Sequence, residues 1–382
     1  MLSGYPKPTG KYSVGCTLTS FRDEKRVDKV SGKSRHLPVM IWYPAVNVSG
    51  KDTLQIRDVQ AFRKSQWYIP STKLEKMKTN SYVDAEIAKD GKFPVLVFSQ
   101  GYNTNIDSYT AYVEELASQG YIVFAIGHAN YAAVTRFPDG SIVLFDKNGY
   151  KKAGAEFMRI LKKVSAAEKV LSDINIGDDI IKARTIDVME SFDYYHTIIY
   201  EMSDDIKFIA DKIEEIAKGK LKSPFGDSLD LSKGLGVFGH SMGGASAMKS
   251  VQTDNKFSCC INIDGPEFGK IYQSSLTVPT LFMMSKTYYW QCRLTFNQCS
   301  NDAYYAYFKD TFHMDFSDCV FYPTFMGKMM KMLSGINPIM LNKITTEYMV
   351  SFLDKYLKGK PASMLEQDIY PEVITKRKKA VS

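Results

Sequence analysis

The sequence predicts an α/β protein with a mostly parallel central sheet and helices on both faces. Two continuous apolar runs, at 93–101 and 121–128, are typical of strands buried on both faces. Residues 108–120, which lie between them, have helical spacing and end at Gly120, as a crossover helix would. Apolar residues make up 45% and charged residues 24% of the 382 residues, which indicates a packed core. We expect one domain over 1–382, because large α/β domains often stay undivided.

Further short runs complete the strand series in chain order. They are 38–45, 235–239, 259–264, 280–285 and 304–310. Residues 153–220 break the alternation and are predicted to be almost wholly helical, with the last helix packed on the sheet before the strand at 235–239. The portion 153–200 is larger than a crossover needs. It is either a cap over the active site or additional scaffold.

Net charge and hydropathy exclude few classes of partner and do not decide whether the protein is cytoplasmic or secreted. The charge of +7 is spread over many lysines, and we expect the basic run at 376–380 to be a solvated terminus rather than a nucleic-acid or membrane surface. No apolar run approaches the ~18 residues of a membrane span. Residues 1–16 show no apolar signal-peptide core, so we expect either a cytoplasmic protein or a secreted mature form. The oligomeric state stays open.

The six cysteines do not suggest a metal site. Cys259 and Cys260 lie inside an apolar run and are predicted to be buried free thiols. Cys292 and Cys299 flank a short aromatic loop and would pair only in an oxidising compartment. Because no C-x-x-C spacing occurs, we expect no zinc, and we expect no other cofactor.

The segment GHSMG at 239–243 fits the pattern G-x-S-x-G, with Ser241 at its centre. A predicted strand precedes it and a run of small residues that starts a helix follows it. This strand–turn–helix context is that of a nucleophile elbow in the α/β-hydrolase fold. The alternative is a glycine-rich turn with an incidental serine. A serine hydroxyl is a weak nucleophile, so a catalytic Ser241 needs a base.

Elimination among five histidines points to His313 as that base. His240 lies inside the elbow and is expected to point away from the serine, His36 precedes the first strand, and His196 falls in the helical insert. His128 ends a strand and is expected near the pocket. His313 alone follows every candidate acid, and α/β-hydrolases order their triad as serine, acid, histidine.

Asp264 is the predicted acid that orients His313. The strand at 280–285 precedes the position most frequent for the acid in this fold, but no carboxylate follows it. Asp264 ends the strand before that one, at the sheet edge where active-site loops gather. Asp302 and Asp310 are weaker candidates, and Glu267 is expected to be exposed.

Two backbone amides are predicted to form an oxyanion hole. One is that of Met242, directly after the serine, and the other is that of Tyr102, in the loop after the first buried strand.

Several segments, among them the elbow with the residues that follow it, are similar to those of one group of serine hydrolases. They are PTGKYSVGC at 8–16, IWYPA at 41–45, FPVLVFSQGY at 93–102, LASQGYIVFAIGH at 116–128, GHSMGGASA at 239–247, CCINIDG at 259–265 and FHMDFSD at 312–318. Through them the chain, from about residue 8 to 358, resembles the plasma-type platelet-activating-factor acetylhydrolases (the lipoprotein-associated phospholipase A2 group) and their bacterial relatives.

This resemblance implies the triad Ser241, Asp264 and His313, with the oxyanion amides of Tyr102 and Met242. It also implies hydrolysis of short or oxidised acyl esters without calcium. Two departures concern the pocket. The family's usual His-Gly after the first buried strand is Gln-Gly at 100–101, and the helical insert is longer than a typical crossover.

The pocket and the substrate are predicted more broadly. Gln100, His128 and Trp290 are expected to line the pocket, and the aromatic loops at 287–292 and 130–137 either form it or cover the core. The methionine-rich segment 325–340 is either a surface for transient lipid contact or a helix packed on the core. The expected partner is a small-molecule or lipid ester, with no nucleic acid. The alternatives are a broad carboxylesterase, polyesterase or amidase on a non-phospholipid substrate, and a catalytically quiet lipid-binding relative.

Overall fold

A large twisted sheet lies at the centre of the computed structural model, which describes residues 5–56, 58–63, 74–75, 77–173, 175–322 and 333–380. The strands are β1 (Ser13–Val27), β2 (Ser34–Val46), β3 (Thr53–Gln55), β4 (Lys78–Val83), β5 (Glu86–Ile87), β6 (Phe93–Ser99), β7 (Ile122–Ile126), β8 (Val134–Arg136), β9 (Ile142–Leu144), β10 (Leu229–Asp230), β11 (Leu235–His240), β12 (Phe257–Ile263), β13 (Thr280–Met284), β14 (Ala303–Phe308) and β15 (Val373–Lys378).

The helices lie mainly between consecutive parallel strands. They are α1 (Val59–Arg63), α2 (Thr110–Ser118), α3 (Lys147–Leu171), α4 (Asp178–Met189), α5 (Asp193–Ala217), α6 (Met242–Thr253), α7 (Arg293–Gln298), α8 (Pro338–Lys358) and α9 (Ser363–Glu366). Among the described residues, no helix is both long enough and apolar enough to cross a membrane.

The strand order is that of a doubly wound sheet with antiparallel additions. The main path runs β15-β14-β13-β12-β11-β6-β7-β2-β1-β4-β3. Neighbours from β14 through β7 are parallel, whereas β15 is antiparallel to β14 and β2 is antiparallel to β7. The mostly parallel sheet with helices on both faces confirms the predicted fold class. Strands β8 and β9 form a separate hairpin.

Both faces of the sheet are buried, which explains the continuous apolar runs of its parallel strands. From β6, Val95 and Val97 face a core shared with α5 and α6. Leu96 and Phe98 point to the opposite face and pack with α2 and α8. The segment 153–220 forms most of α3, all of α4 and all of α5, as its spacing predicted.

One expectation about a strand needs correction, and one strand was not predicted. The strand that was not predicted is β1, whose 15 residues are mostly exposed or only partly buried and contain no continuous apolar run. The basic run at 376–380 is not simply a solvated terminus. Residues up to Lys378 belong to β15, and the Lys378 ammonium donates to the Asn297 carbonyl at 2.6 Å.

The cysteines are free and buried in the described chain. Cys292 and Cys299 do not pair: the Cys292 thiol donates to the Gly265 carbonyl at 3.0 Å, and the Cys299 thiol donates to the Thr295 carbonyl at 3.3 Å. Of the methionine-rich segment, residues 325–332 lie outside the described residues. Its end begins α8, which packs on the sheet.

Candidate active site

Ser241 lies at a sharp turn between β11 and α6. Its φ of 57° and ψ of −128° belong to a region that non-glycine residues rarely adopt, and such strain is characteristic of functional turns. The glycine two residues after Ser241 has no room for a side chain, since a Cβ on Gly243 would lie 2.1 Å from the Ser99 carbonyl oxygen. The pattern G-x-S-x-G therefore follows from the close approach of α6 to β6.

His313 and Asp264 reach Ser241 from two separate loops. His313 begins a short 3-10 turn after β14, and its Nε2 lies 2.9 Å from the Ser241 Oγ. Its Nδ1 lies 2.7 Å from Oδ2 of Asp264, which directly follows β12. Asp264 is fully buried, whereas the His313 side chain keeps 23% of its surface exposed. The three side chains thus form one continuous hydrogen-bonded relay that opens to solvent at the histidine.

Asp264 is held by the strand next to it. The Ser285 amide donates to Oδ1 and the Ser285 hydroxyl donates to Oδ2, both at 2.7 Å. Ser285 directly follows β13, so it occupies the place where the sequence offered no carboxylate. Because the carboxylate accepts three hydrogen bonds, counting the one from His313, its orientation is fixed.

A second relay lies behind the histidine. The His240 Nε2 lies 3.1 Å from the His313 carbonyl oxygen, and its Nδ1 lies 2.8 Å from the Tyr109 hydroxyl, which also accepts from the Gly101 amide at 3.2 Å. A carbonyl can only accept, so Nε2 carries the His240 proton and the tyrosine donates to Nδ1. Burial, with a smaller effect of nearby His313, holds the pKa of His240 well below its usual value. His240 is therefore a neutral link that stacks on His313, with ring centroids 4.5 Å apart.

A cavity of about 350 Å³ opens beside Ser241. Tyr102 and Met242, the residues whose amides were predicted to form the oxyanion hole, both line it. Aromatic and aliphatic side chains dominate the wall, with Phe157 and Leu161 of α3 partly exposed at the surface. The one charged side chain among the described lining residues is Glu168.

Trp290 lines this cavity, but Gln100 and His128 do not, which corrects the predicted pocket. With its amide oriented to satisfy both neighbours, Gln100 donates to the Ile126 carbonyl and accepts from the His128 amide at 3.3 Å. His128 bridges the Ser99 hydroxyl and Asp205, both at 2.9 Å. Both side chains are fully buried because they join strands β6 and β7 beneath the site.

The rejected acids have other roles. Asp302 accepts from the Tyr356 hydroxyl at 2.6 Å, and Asp310 forms a surface ion pair with Lys286 at 3.6 Å. Glu267 was expected to be exposed, but it is 1% exposed and accepts from the Thr295 amide at 2.8 Å. No group of residues suited to hold a metal ion occurs in the described part of the chain.

Sequence reasoning missed three residues that support the triad: Ser285, Tyr109 and the linking function of His240. Only Ser285 could have been identified from the sequence, because it occupies the position after the strand at 280–285 where a carboxylate was expected. Tyr109 is far from the elbow in sequence, and only the fold brings its hydroxyl to His240.

Residues 2–367 match the family described as “Platelet-activating factor acetylhydrolase, isoform II”. The chain belongs to this family. The match covers nearly the whole chain, as the resemblance in the sequence predicted, and it supports the hydrolysis of ester bonds as the reaction class. The family acts on lipid or small-molecule esters.

Individual relatives are distant. The chain is 26% identical to platelet-activating factor acetylhydrolase of Gallus gallus over 94% of its own length and 85% of the relative's. It is 23% identical to the Bos taurus protein of the same name, over 93% of this chain and 78% of the relative. Among solved structures, a ferulic acid esterase from Streptomyces cinnamoneus matches with a TM-score of 0.73 at 21% identity, covering 98% of this chain and 99% of the esterase. That last similarity supports the α/β-hydrolase fold.

Proposed function

We propose that the protein is a serine ester hydrolase that works through an acyl-enzyme on Ser241. The observation that carries this proposal is the relay from the Ser241 Oγ through His313 to the buried Asp264, at 2.9 and 2.7 Å. These are the contacts that a serine nucleophile, its general base and an orienting acid require.

Each group in the relay has one task. His313 Nε2 takes the proton of Ser241 as the hydroxyl attacks the ester carbonyl, and it returns that proton to the leaving alkoxide. Asp264 accepts from Nδ1 and stabilises the imidazolium that forms in between. Water then attacks the acyl-enzyme, with His313 again as base, and releases the carboxylic acid.

The amides of Tyr102 and Met242 are proposed to stabilise the tetrahedral oxyanion. Both residues line the cavity next to the serine, and Met242 is the first residue of α6, where backbone amides have no partner within the helix. Proton transfer and charge stabilisation are both assigned to the chain, so the proposal includes turnover without calcium, and unchanged activity in EDTA is the expected result.

The insert is proposed to act as a cap within a single α/β-hydrolase domain. Phe157, Leu161 and Val164 of α3 contribute to the cavity wall, together with Val188 and Met189 of α4. The segment 153–200 therefore shapes what reaches Ser241. This observation favours the cap over the additional scaffold.

Short or oxidised acyl esters, including those of platelet-activating-factor-like lipids, are the proposed substrates. The family match and the names of the chicken and cattle relatives support this class. The second candidate is a bulkier ester that is not a phospholipid. It is favoured by the cavity itself, because its wall is aromatic and its described lining offers a carboxylate, Glu168, but no lysine or arginine for a phosphate.

A panel of substrates separates these candidates. Initial rates are compared for p-nitrophenyl esters from acetyl to dodecanoyl, a lipid with an sn-2 acetyl group, and the methyl ester of an aromatic acid. The proposal expects the highest kcat/KM for short acyl groups, with the acetyl lipid cleaved, and expects Ser241→Ala to abolish turnover throughout. A strong preference for the aromatic ester would favour the second candidate. Full turnover by Ser241→Ala would contradict both.

A further inference from the structure

A second cavity, of about 140 Å³, lies on the other side of the aromatic loop from the candidate active site. The segment 287–292 divides the two spaces: Tyr288 and Trp290 line the active-site cavity, whereas Tyr289 lines the second one. Ser241 and His313 are not among the residues that line it. The second cavity is therefore a separate space within the fold.

Its floor is one face of the antiparallel pair β14 and β15. The register pairs Tyr305 with Lys376 and Tyr307 with Ile374, so these four alternate residues share one face, and all of them line the cavity. This arrangement brings a lysine of the basic run at 376–380 against aromatic rings. The function proposed above does not use that lysine.

Two of the three charged side chains among the described lining residues of the cavity are positive, Arg293 and Lys376, and the third is Asp178. The Arg293 guanidinium donates to the carbonyls of Leu171 and Asp173, both at 2.7 Å, where α3 ends. Asp178 accepts from the Asn297 side-chain amide at 2.8 Å. Within the described part of the chain, no hydrogen bond or ion pair is made by the Lys376 ammonium.

The surroundings of Lys376 favour an anion beside it. Partial burial, together with the nearby charge of Arg293, lowers the pKa of Lys376 in spite of the opposing effect of Asp178. A carboxylate next to this ammonium would relieve the repulsion by Arg293 and form a charge-assisted hydrogen bond.

The remaining walls fit a flat apolar body. Ile176, Ile181 and Phe296 line the cavity together with Tyr289. The Tyr305 hydroxyl donates to the Gln291 carbonyl at 2.8 Å, so its polar end is already satisfied. An apolar cavity of roughly 150 Å³ is large enough for a benzene ring.

We propose that this cavity is a binding site for a small aromatic monocarboxylate. The carboxylate binds the Lys376 ammonium, and the ring lies among Tyr305, Tyr307 and the isoleucines. The site does not take part in the chemistry at Ser241, so this proposal does not depend on the proposed esterase function.

Benzoate is the probe, and benzyl alcohol, which has the same ring without the charge, is the matched ligand. Isothermal titration is run on the full-length protein, on Lys376→Gln and on Lys379→Gln. The control Lys379→Gln removes one positive charge from the same tail, at an exposed lysine paired with Glu366. The melting temperature of each variant shows that it is folded.

We expect benzoate to bind the wild-type protein about fivefold more tightly than benzyl alcohol, because Lys376 is exposed and a solvent-exposed charge pair is weak. Lys376→Gln should weaken benzoate by a similar factor and leave benzyl alcohol unchanged, whereas Lys379→Gln should leave both unchanged. A crystal soaked in benzoate should show its carboxylate at Lys376.

Equal affinity of the two ligands, an equal loss in both lysine variants, absence of saturable binding, or benzoate seen only against Ser241 would overturn the proposal.

Discussion

Ser285 donates two hydrogen bonds to Asp264, one from its amide to Oδ1 and one from its hydroxyl to Oδ2, each at 2.7 Å. The two residues follow neighbouring parallel strands, β12 and β13. The acid, Asp264, follows the strand before the one that most often precedes it in this fold. A small hydrogen-bond donor, Ser285, occupies the position where the acid is most often found. The donor fixes the carboxylate that in turn fixes His313.

Removing the Ser285 hydroxyl is expected to slow the reaction while leaving the fold intact. Ser285→Ala keeps the amide donor but loses the hydroxyl bond to a charged group, so kcat/KM should fall by about 10- to 100-fold.

Ser258→Ala is the control, because Ser258 lies on β12 and its hydroxyl donates to the Leu235 carbonyl, away from the triad. An unchanged rate in Ser285→Ala would show that the hydroxyl does not position Asp264.

The Tyr109 hydroxyl links the loop at Gly101 to His240. Tyr109→Phe should lower kcat roughly tenfold, since it leaves the Nδ1 of His240 without a donor behind His313. Tyr121→Phe serves as control, because that buried hydroxyl binds Asp354 far from the triad. The kcat values of the two variants and the wild-type protein are compared by stopped-flow or steady-state measurement, at equal concentrations of folded protein. An equal fall in kcat for both variants would refute a specific role of Tyr109.

Glu267 should make the protein less stable as the pH rises. Burial raises its pKa from 4.5 to about 7, so the folded state binds this proton more tightly than the unfolded chain does. Stability is therefore greatest below about pH 4.5 as far as this group is concerned, declines between about pH 4.5 and 7, and is level above that range.

Glu267→Gln mimics the protonated acid and should raise the free energy of unfolding near pH 8 by on the order of 1–3 kcal/mol, with little change near pH 5. Urea unfolding at the two pH values measures this, with the exposed Glu168→Gln as control. In Glu267→Gln, part of the decline in stability between about pH 4.5 and 7 should persist, because burial also raises the pKa of Glu114 to about 7. A gain that is equal at both pH values would contradict the assignment.

The thiols should be unreactive in the folded protein. Burial raises the pKa of Cys259, Cys299 and Cys319 to about 12, so almost no thiolate exists near pH 8. Ellman's reagent should modify none of these three thiols in the native state, but all six cysteines of the chain in urea without reductant. Two thiols missing from the urea count would reveal a disulfide and contradict the free Cys292 and Cys299.

The parallel strands could be predicted because a strand that is buried on both faces consists of an uninterrupted run of apolar residues, as in β6 and β7. Strands β1 and β15 were not predicted, because β1 contains no continuous apolar run and the lysines of β15 resemble a solvated tail.

At the site, the G-x-S-x-G pattern indicated Ser241, chain order among the five histidines indicated His313, and the missing carboxylate after 280–285 pointed to Asp264. The structure brings these three residues together. The pocket was harder. Gln100 and His128 follow the ends of β6 and β7, but neither side chain lines the cavity. Gln100 binds the Ile126 carbonyl and the His128 amide, and His128 binds the Ser99 hydroxyl and Asp205. Such orientations depend on partners distant in sequence.

The most direct test of Ser241 as the nucleophile is covalent labelling with a fluorophosphonate, followed by intact-mass measurement and peptide mapping. The wild-type protein should gain a single phosphonyl adduct on Ser241, His313→Ala should react far more slowly, and Ser241→Ala should gain none. A folded wild-type protein that stays unlabelled, or an adduct of equal yield on Ser241→Ala, would contradict the assignment.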